Sequence, residues 1–159
     1  TDKYRFAHLA GAIKFLPYGV AVDEFQHRVY EQPTMGKAER NRVWREIERR
    51  YLPHRDYADN AFLEAGGYWQ QQSHIFNMPF YYIDYTLAQI CAFQFWQRDR
   101  ADHEGAWRDY LRLCQAGGSH SFVELVKLAN LTSPFENGCV ESGVGDIKAW
   151  LDGVDDTRF

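Results

Sequence analysis

From Pro79 to about Ala101 the sequence offers one long helix, and it is nearly all apolar as far as Trp96. A helix apolar on every side must be buried on most of them. The rest of the chain is therefore expected to pack around residues 79–101. Pro79 marks the start, because proline has no backbone N–H to donate and fits the first helical turn. On such a helix Tyr81 and Tyr85 are one turn apart and Tyr82 and Tyr85 are three residues apart, so both pairs can share a face.

The flanking segments are also helical in pattern. Residues 4–31 place Phe6, Leu9, Ile13, Leu16, Val20, Phe25 and Val29 in a helical rhythm, with Pro17 expected to kink or break it. A charged helix follows to about Tyr51, with Thr34 as its expected cap, Val43, Trp44, Ile47 and Tyr51 as its apolar stripe, and its charges on a solvated face. Pro53 ends it. A short helix is expected near 60–65, stopped by Gly66-Gly67. Asp102 can cap a helix over 103–116 that ends at Gly117-Gly118. Ser121 and Glu124 suit a capping box, and Pro134 and Glu136 are expected to open a last helix to about Leu151. No run of strands and no internal repeat interrupts this pattern. The fold class is all-α, about six helices in a single helical region over 1–159. With 45% hydrophobic and 16% aromatic residues in 159, much of the core must be Phe, Tyr and Trp.

Charge and cysteine usage narrow the function. A net charge of −4 and a pI near 5.8 leave no basic footprint for nucleic acid. No apolar run reaches the roughly 18 residues needed to span a bilayer, and no secretory leader pattern opens the chain. Three scattered cysteines, Cys91, Cys114 and Cys139, fit a reducing compartment better than a disulfide framework. The opening Thr1-Asp-Lys-Tyr, without methionine and at once helical in spacing, is expected to be an internal junction of a longer protein.

The chemistry-bearing residues concentrate between His74 and Tyr85. A tyrosine O–H and an imidazole N–H are donors that can point at a developing oxyanion. Tyrosines in an apolar helix are also, and more often, core residues with a satisfied hydroxyl, so the residue types alone leave both readings open. Gly66-Gly67, just before Tyr68-Trp69, reads equally as a helix stop or as a mobile backbone beside a substrate cleft. A paired-histidine zinc motif, H-E-x-x-H, is absent. His103-Glu104 is followed by Trp107 where the second ligand would stand, and Asp23-Glu24 precedes His27 with an aspartate in place of the first histidine. Both are better read as surface or hydrogen-bonded polar positions than as metal sites. No nucleophile elbow, phosphate-binding glycine loop or C-x-x-C pair occurs.

The stretches Ile13-Lys-Phe-Leu-Pro-Tyr-Gly19, Asp23-Glu-Phe-Gln-His27, Gly66-Gly67, Trp69, Ser73-His74-Ile75, Pro79-Phe-Tyr-Tyr-Ile-Asp-Tyr85-Thr-Leu-Ala-Gln89 and Ser133-Pro-Phe-Glu136 together resemble the C-terminal part of the oligoendopeptidase F family. These are zinc peptidases similar to thimet oligopeptidase. The resemblance covers nearly the whole chain, and its most specific piece is the block 73–89.

That resemblance implies a mostly helical, cytoplasmic enzyme that cleaves short peptides in a deep channel. It places the zinc ligands and the water-activating glutamate in a preceding part that this chain lacks. Carried over by resemblance, His74 and Tyr85 stabilise the transition state, while Tyr81, Tyr82, Gly66 and Gly67 contact the peptide. A phenol of ordinary pKa, about 10, stays protonated at neutral pH and can serve as such a donor. The chain alone is then expected to hold no zinc, to be inactive, and to self-associate through the surface its missing N-terminal zinc-binding part would cover. The competing reading is a free-standing, non-catalytic helical module that binds peptides or partners.

Overall fold

The computed structural model describes residues 2–158, and all regular structure among them is helical. Eight α-helices follow one another: α1 (Asp2–Glu31), α2 (Lys37–Tyr51), α3 (Ala61–Glu64), α4 (Ser73–Asn77), α5 (Ile83–Ala101), α6 (His103–Ala116), α7 (Phe122–Leu128) and α8 (Cys139–Asp152). Two 3₁₀ turns, Gly67–Gln71 and Asp156–Arg158, complete the set. The all-α class holds, with more and shorter helices than the pattern predicts. The helices form two compact units, residues 14–86 and residues up to 13 together with those from 87 onward.

In the unit 14–86 the core joins Ala21, Val22 and Phe25 of α1 to Val43, Trp44 and Ile47 of α2, with Met35 and Trp69 closing it. Phe25 meets Trp44 edge-on at 5.4 Å and lies 5.1 Å from Trp69. Burying one such ring is worth about 1.5–3 kcal/mol, so these contacts fix α2 on α1. Pro17 does not break α1, which runs on to Glu31. It deprives the Ile13 carbonyl of its helical partner. The cap of α2 is Gly36 in extended conformation, not Thr34.

The face of α2 expected to be solvated carries two buried charges, Arg45 and Glu48. Glu48 is fully buried and accepts from Arg45 Nη1 at 3.1 Å, from Arg55 Nη1 at 2.9 Å and from the Tyr57 hydroxyl. Arg45 also donates to both oxygens of Glu64, at 2.8 and 2.9 Å. Arg55, Tyr57 and Glu64 lie outside α2, which is why the pattern of that helix alone misplaces Arg45 and Glu48.

The long helix begins at Ile83, not Pro79. Met78–Tyr81 forms a tight turn, with Tyr81 N donating to the Met78 carbonyl at 3.2 Å. Proline suits the second position of such a turn for the same reason that it suits a helix start, its fixed φ. Phe80 follows at φ +63°, in the left-handed region, and its N–H is held by the buried Gln26 Oε1 at 2.9 Å. Nor is α5 buried on most sides. Thr86, Ile90 and Phe93 are buried, whereas Tyr85, Ala88, Ala92 and Asp99 are exposed.

In the other unit Asp102 caps α6 through the Gly105 N–H at 3.0 Å, and Ser121 with Glu124 forms the expected capping box. The last helix begins at Cys139, after Gly138 at φ +83°, rather than at Pro134 or Glu136. Gln94 pairs with the backbone of Thr132 in both directions, at 2.9 and 2.8 Å. The buried Asp109 accepts from Arg98 and, at 3.0 Å, from Asn130. The Arg98 bond, then the Asn130 bond, holds its carboxyl below the ordinary carboxylate range.

Two outcomes are expected. Glu48→Ala strips Arg55 of its carboxylate and Arg45 of one of its two, and should lower stability by about 3–5 kcal/mol, against at most about 1 kcal/mol for the exposed Arg49→Ala, as read by denaturant unfolding. Because the folded Asp109 carboxyl titrates lower than the unfolded one, its stabilisation is present above the ordinary carboxylate pKa. It is lost as pH falls through the depressed value. Asp109→Asn should therefore flatten the acid limb of the melting-temperature profile.

Candidate functional site

The donors singled out in the sequence meet at one place, within the unit 14–86. His74 stands on α4, Tyr81 and Tyr82 on the turn that follows, and Tyr85 on the first turn of α5. The expected helical spacing of the tyrosines is not what gathers them, since Tyr81 and Tyr82 precede the helix. The chain reverses at Met78–Tyr81, and this folds α4 back on the start of α5. The His74 ring lies edge-on to Tyr85 at 5.7 Å and to Tyr82 at 4.9 Å, and parallel to Tyr81 at 6.5 Å. Tyr85 in turn meets Tyr81 at 5.4 Å and Tyr82 at 5.5 Å.

The four rings are not equivalent. Tyr85 Oη is 3.4 Å from His74 Nε2, and Tyr85 and Tyr81 are 43% and 40% exposed, so both hydroxyls can reach a ligand. Tyr82 is half-buried, and burial, then the neighbouring Tyr85, pushes its phenol pKa up. It packs on Phe15 and Tyr18, each at 5.9 Å. Tyr82 thus packs as the core reading expects while lying beside His74 and Tyr85.

Two further residues belong to the site, and sequence reasoning assigned them no role. Gln72 Nε2 lies 2.7 Å from His74 Nδ1, and its Oε1 accepts from the Tyr18 hydroxyl at 2.9 Å. Gln72 stands two residues before His74, a local signal that could have found it. Tyr18 is 54 residues away in sequence from Gln72, and no pattern connects them. A cavity of about 340 Å³ lies on the Ile75 and Phe76 side of α4, lined also by Gln26, Tyr30 and Trp69, and His74 does not face it.

Gly66 and Gly67 are both buried, between α3 and the 3₁₀ turn. Gly66 has φ +91°, and a Cβ there would lie 1.9 Å from the Asn41 carbonyl oxygen. At Gly67 a Cβ would meet the ring of Phe62 at 2.4 Å, but that ring is exposed and free to turn. Asn41 also accepts from Trp69 Nε1 at 2.9 Å, so Gly66 lets the backbone leading to the site approach α2.

The two histidine–carboxylate motifs do not converge into metal sites. Asp23 reaches His27 at 3.5 Å, but Glu24 is turned to Tyr51 and Arg50. His103 pairs with Asp99 at 2.6 Å, while Trp107 stacks on Tyr110. Among the described residues no three His, Cys, Asp or Glu side chains could hold an ion together, so the residues present do not fit a zinc centre.

The fold recurs in solved structures. A chain described as an oligoendopeptidase F, solved at 3.1 Å from crystals grown by microfluidic seeding, superposes with a TM-score of 0.96 at 66% identity over 99% of the present chain. The present chain is an oligoendopeptidase F homologue. PZ peptidase A, solved with an inhibitor, matches with a TM-score of 0.94 at 63% identity over 98% of it. An oligoendopeptidase F from Bacillus anthracis str. Ames matches with a TM-score of 0.81 at 53% identity over 99%. The homologue spans only 28%, 28% and 25% of those three chains. No family model and no curated protein matches it.

Gly66→Ala in this oligoendopeptidase F homologue should cost more than 1 kcal/mol, roughly, since an alanine is forced to positive φ against a backbone oxygen. Gly67→Ala, which asks only Phe62 to turn, should cost clearly less. Thermal unfolding of the two variants side by side measures this.

Proposed function

We propose that this chain supplies the substrate-side donors of a zinc-dependent endopeptidase that hydrolyses short peptides, and that the zinc and its ligands belong to a part of the protein outside it. The observation that carries the reading is the pairing of an exposed Tyr85 hydroxyl with His74 Nε2, in a chain 66% identical to a solved oligoendopeptidase F. The chemistry supports it. Zinc, when bound, supplies a Lewis acid and an activated water. What remains is to stabilise the oxyanion that forms on the scissile carbonyl, and a fixed phenol donor does that.

In this reading Tyr85 donates to the oxyanion and His74 orients it. Tyr81 and Tyr82 hold the peptide on either side of the same ring cluster. A cytoplasmic setting is supported by three free cysteines, one of which, Cys91, has its thiol pKa pushed up to about 11 by burial and is correspondingly inert. No described helix is long and apolar enough to cross a membrane.

The test is made in the full-length protein with a short peptide substrate. Tyr85→Phe should lower kcat by about 10²–10³, or ~2.7–4 kcal/mol, with little change in KM or melting temperature. Tyr51→Phe, which loses a hydroxyl bonded to Glu24, should cost about 1 kcal/mol of stability and spare turnover. A Tyr85→Phe enzyme that melts lower but turns over normally would make Tyr85 a packing residue and end the proposal.

A further inference from the structure

The hydrogen bonds that lead to Tyr85 have a direction. A carboxamide offers an oxygen that only accepts and a nitrogen that only donates. Gln72 Oε1 is taken by the Tyr18 hydroxyl at 2.9 Å, so its Nε2 is the atom presented to His74 Nδ1 at 2.7 Å. An N–H donor at that distance requires a bare Nδ1. In the neutral ring the proton must then sit on Nε2, the nitrogen 3.4 Å from Tyr85 Oη. Nε2–H donates, Tyr85 Oη accepts, and the tyrosine's own proton is left to point away from the protein. The opposite orientation would leave Nε2 bare, and Nε2 would then draw the Tyr85 proton inward.

We propose that Tyr18 and Gln72 are positioning residues: they fix the neutral His74 ring with its proton on Nε2, so that Tyr85 accepts from His74 and turns its own proton toward the ligand. This rests on the reading of Tyr85 as a substrate-side donor. The Tyr18 end is well anchored. Tyr18 is half-buried between Tyr68 at 6.2 Å and Tyr82 at 5.9 Å, with the Arg55 guanidinium 5.1 Å from its ring. Burial, then the adjacent Tyr82 and Tyr68, pushes its phenol pKa well above the ordinary value, so it keeps its proton at neutral pH. With the Tyr18 hydroxyl directed at Gln72 Oε1, the amide nitrogen is the end left for His74. Around the His74 ring the titratable neighbours are Tyr81, Tyr82 and Tyr85, none of which competes with Gln72 for Nδ1.

Histidine-selective ¹⁵N NMR of the full-length protein reads the tautomer directly, with the His74 signals assigned by their loss in His74→Gln. The expected result is a bare Nδ1 and a protonated Nε2. Gln72→Glu puts an acceptor-only carboxylate opposite Nδ1, so Nδ1 should gain a proton while the signals of the other histidines stay in place. Tyr18→Phe removes the lock without adding charge and should give a mixture of both tautomers. With Gln72→Glu, kcat should fall at least tenfold at nearly constant KM. A protonated Nδ1 in the unaltered protein, or a bare Nδ1 in Gln72→Glu, would overturn the proposal. A switched tautomer with undiminished turnover would uphold the positioning role and overturn instead the catalytic reading of Tyr85.

Discussion

The unit that carries the site depends on one buried carboxylate. Glu48 lies on α2 with no exposed surface and gathers Arg45, Arg55 and Tyr57 around it. A buried charge is tolerable only when fully hydrogen-bonded, so it dictates where those three groups must be. Arg55, held there, lies over the ring of Tyr68 at 4.1 Å and that of Tyr18 at 5.1 Å. Tyr18 in turn bonds Gln72, and Gln72 bonds His74. An interaction made to satisfy a charge in the core thus reaches, through Arg55, Tyr18 and Gln72, the ring that faces Tyr85.

The same network explains which parts of the fold are legible in the sequence. Features decided within one turn read correctly. Asp102 bonds the N–H three residues on, Ser121 and Glu124 satisfy each other, and Gly117 ends α6 with positive φ. Features that share one local geometry between two structures read ambiguously, as Pro79 does between a helix start and a turn. Partners far apart in sequence do not read at all. Nothing in the charged run of α2 distinguishes Arg45 and Glu48, which are buried, from Glu46 and Arg49, which are exposed. The site divides likewise. His74, Tyr81, Tyr82 and Tyr85 stand within one short stretch and their association could be expected, whereas Tyr18 belongs to a different helix.

Gly66 shows how a residue can place the backbone that leads to a site. Gly66 permits an approach to the Asn41 carbonyl that no side chain allows. Asn41 then fixes Trp69 by its indole N–H, and Trp69 lies in the core three residues before Gln72. The backbone entering α4 is therefore placed from α2.

The Met78–Tyr81 turn also bears on how the chain reaches its native state. It brings His74 and Tyr85 together across a separation of 11 residues, whereas Tyr18 and Gln72 are 54 apart. Loop closure entropy rises as the logarithm of loop length, so the second closure costs about 1.4 kcal/mol more chain entropy than the first. The ring cluster can form from its own neighbourhood, with low contact order and at a rate set by local diffusion. Its protons take their final direction only when α1 docks.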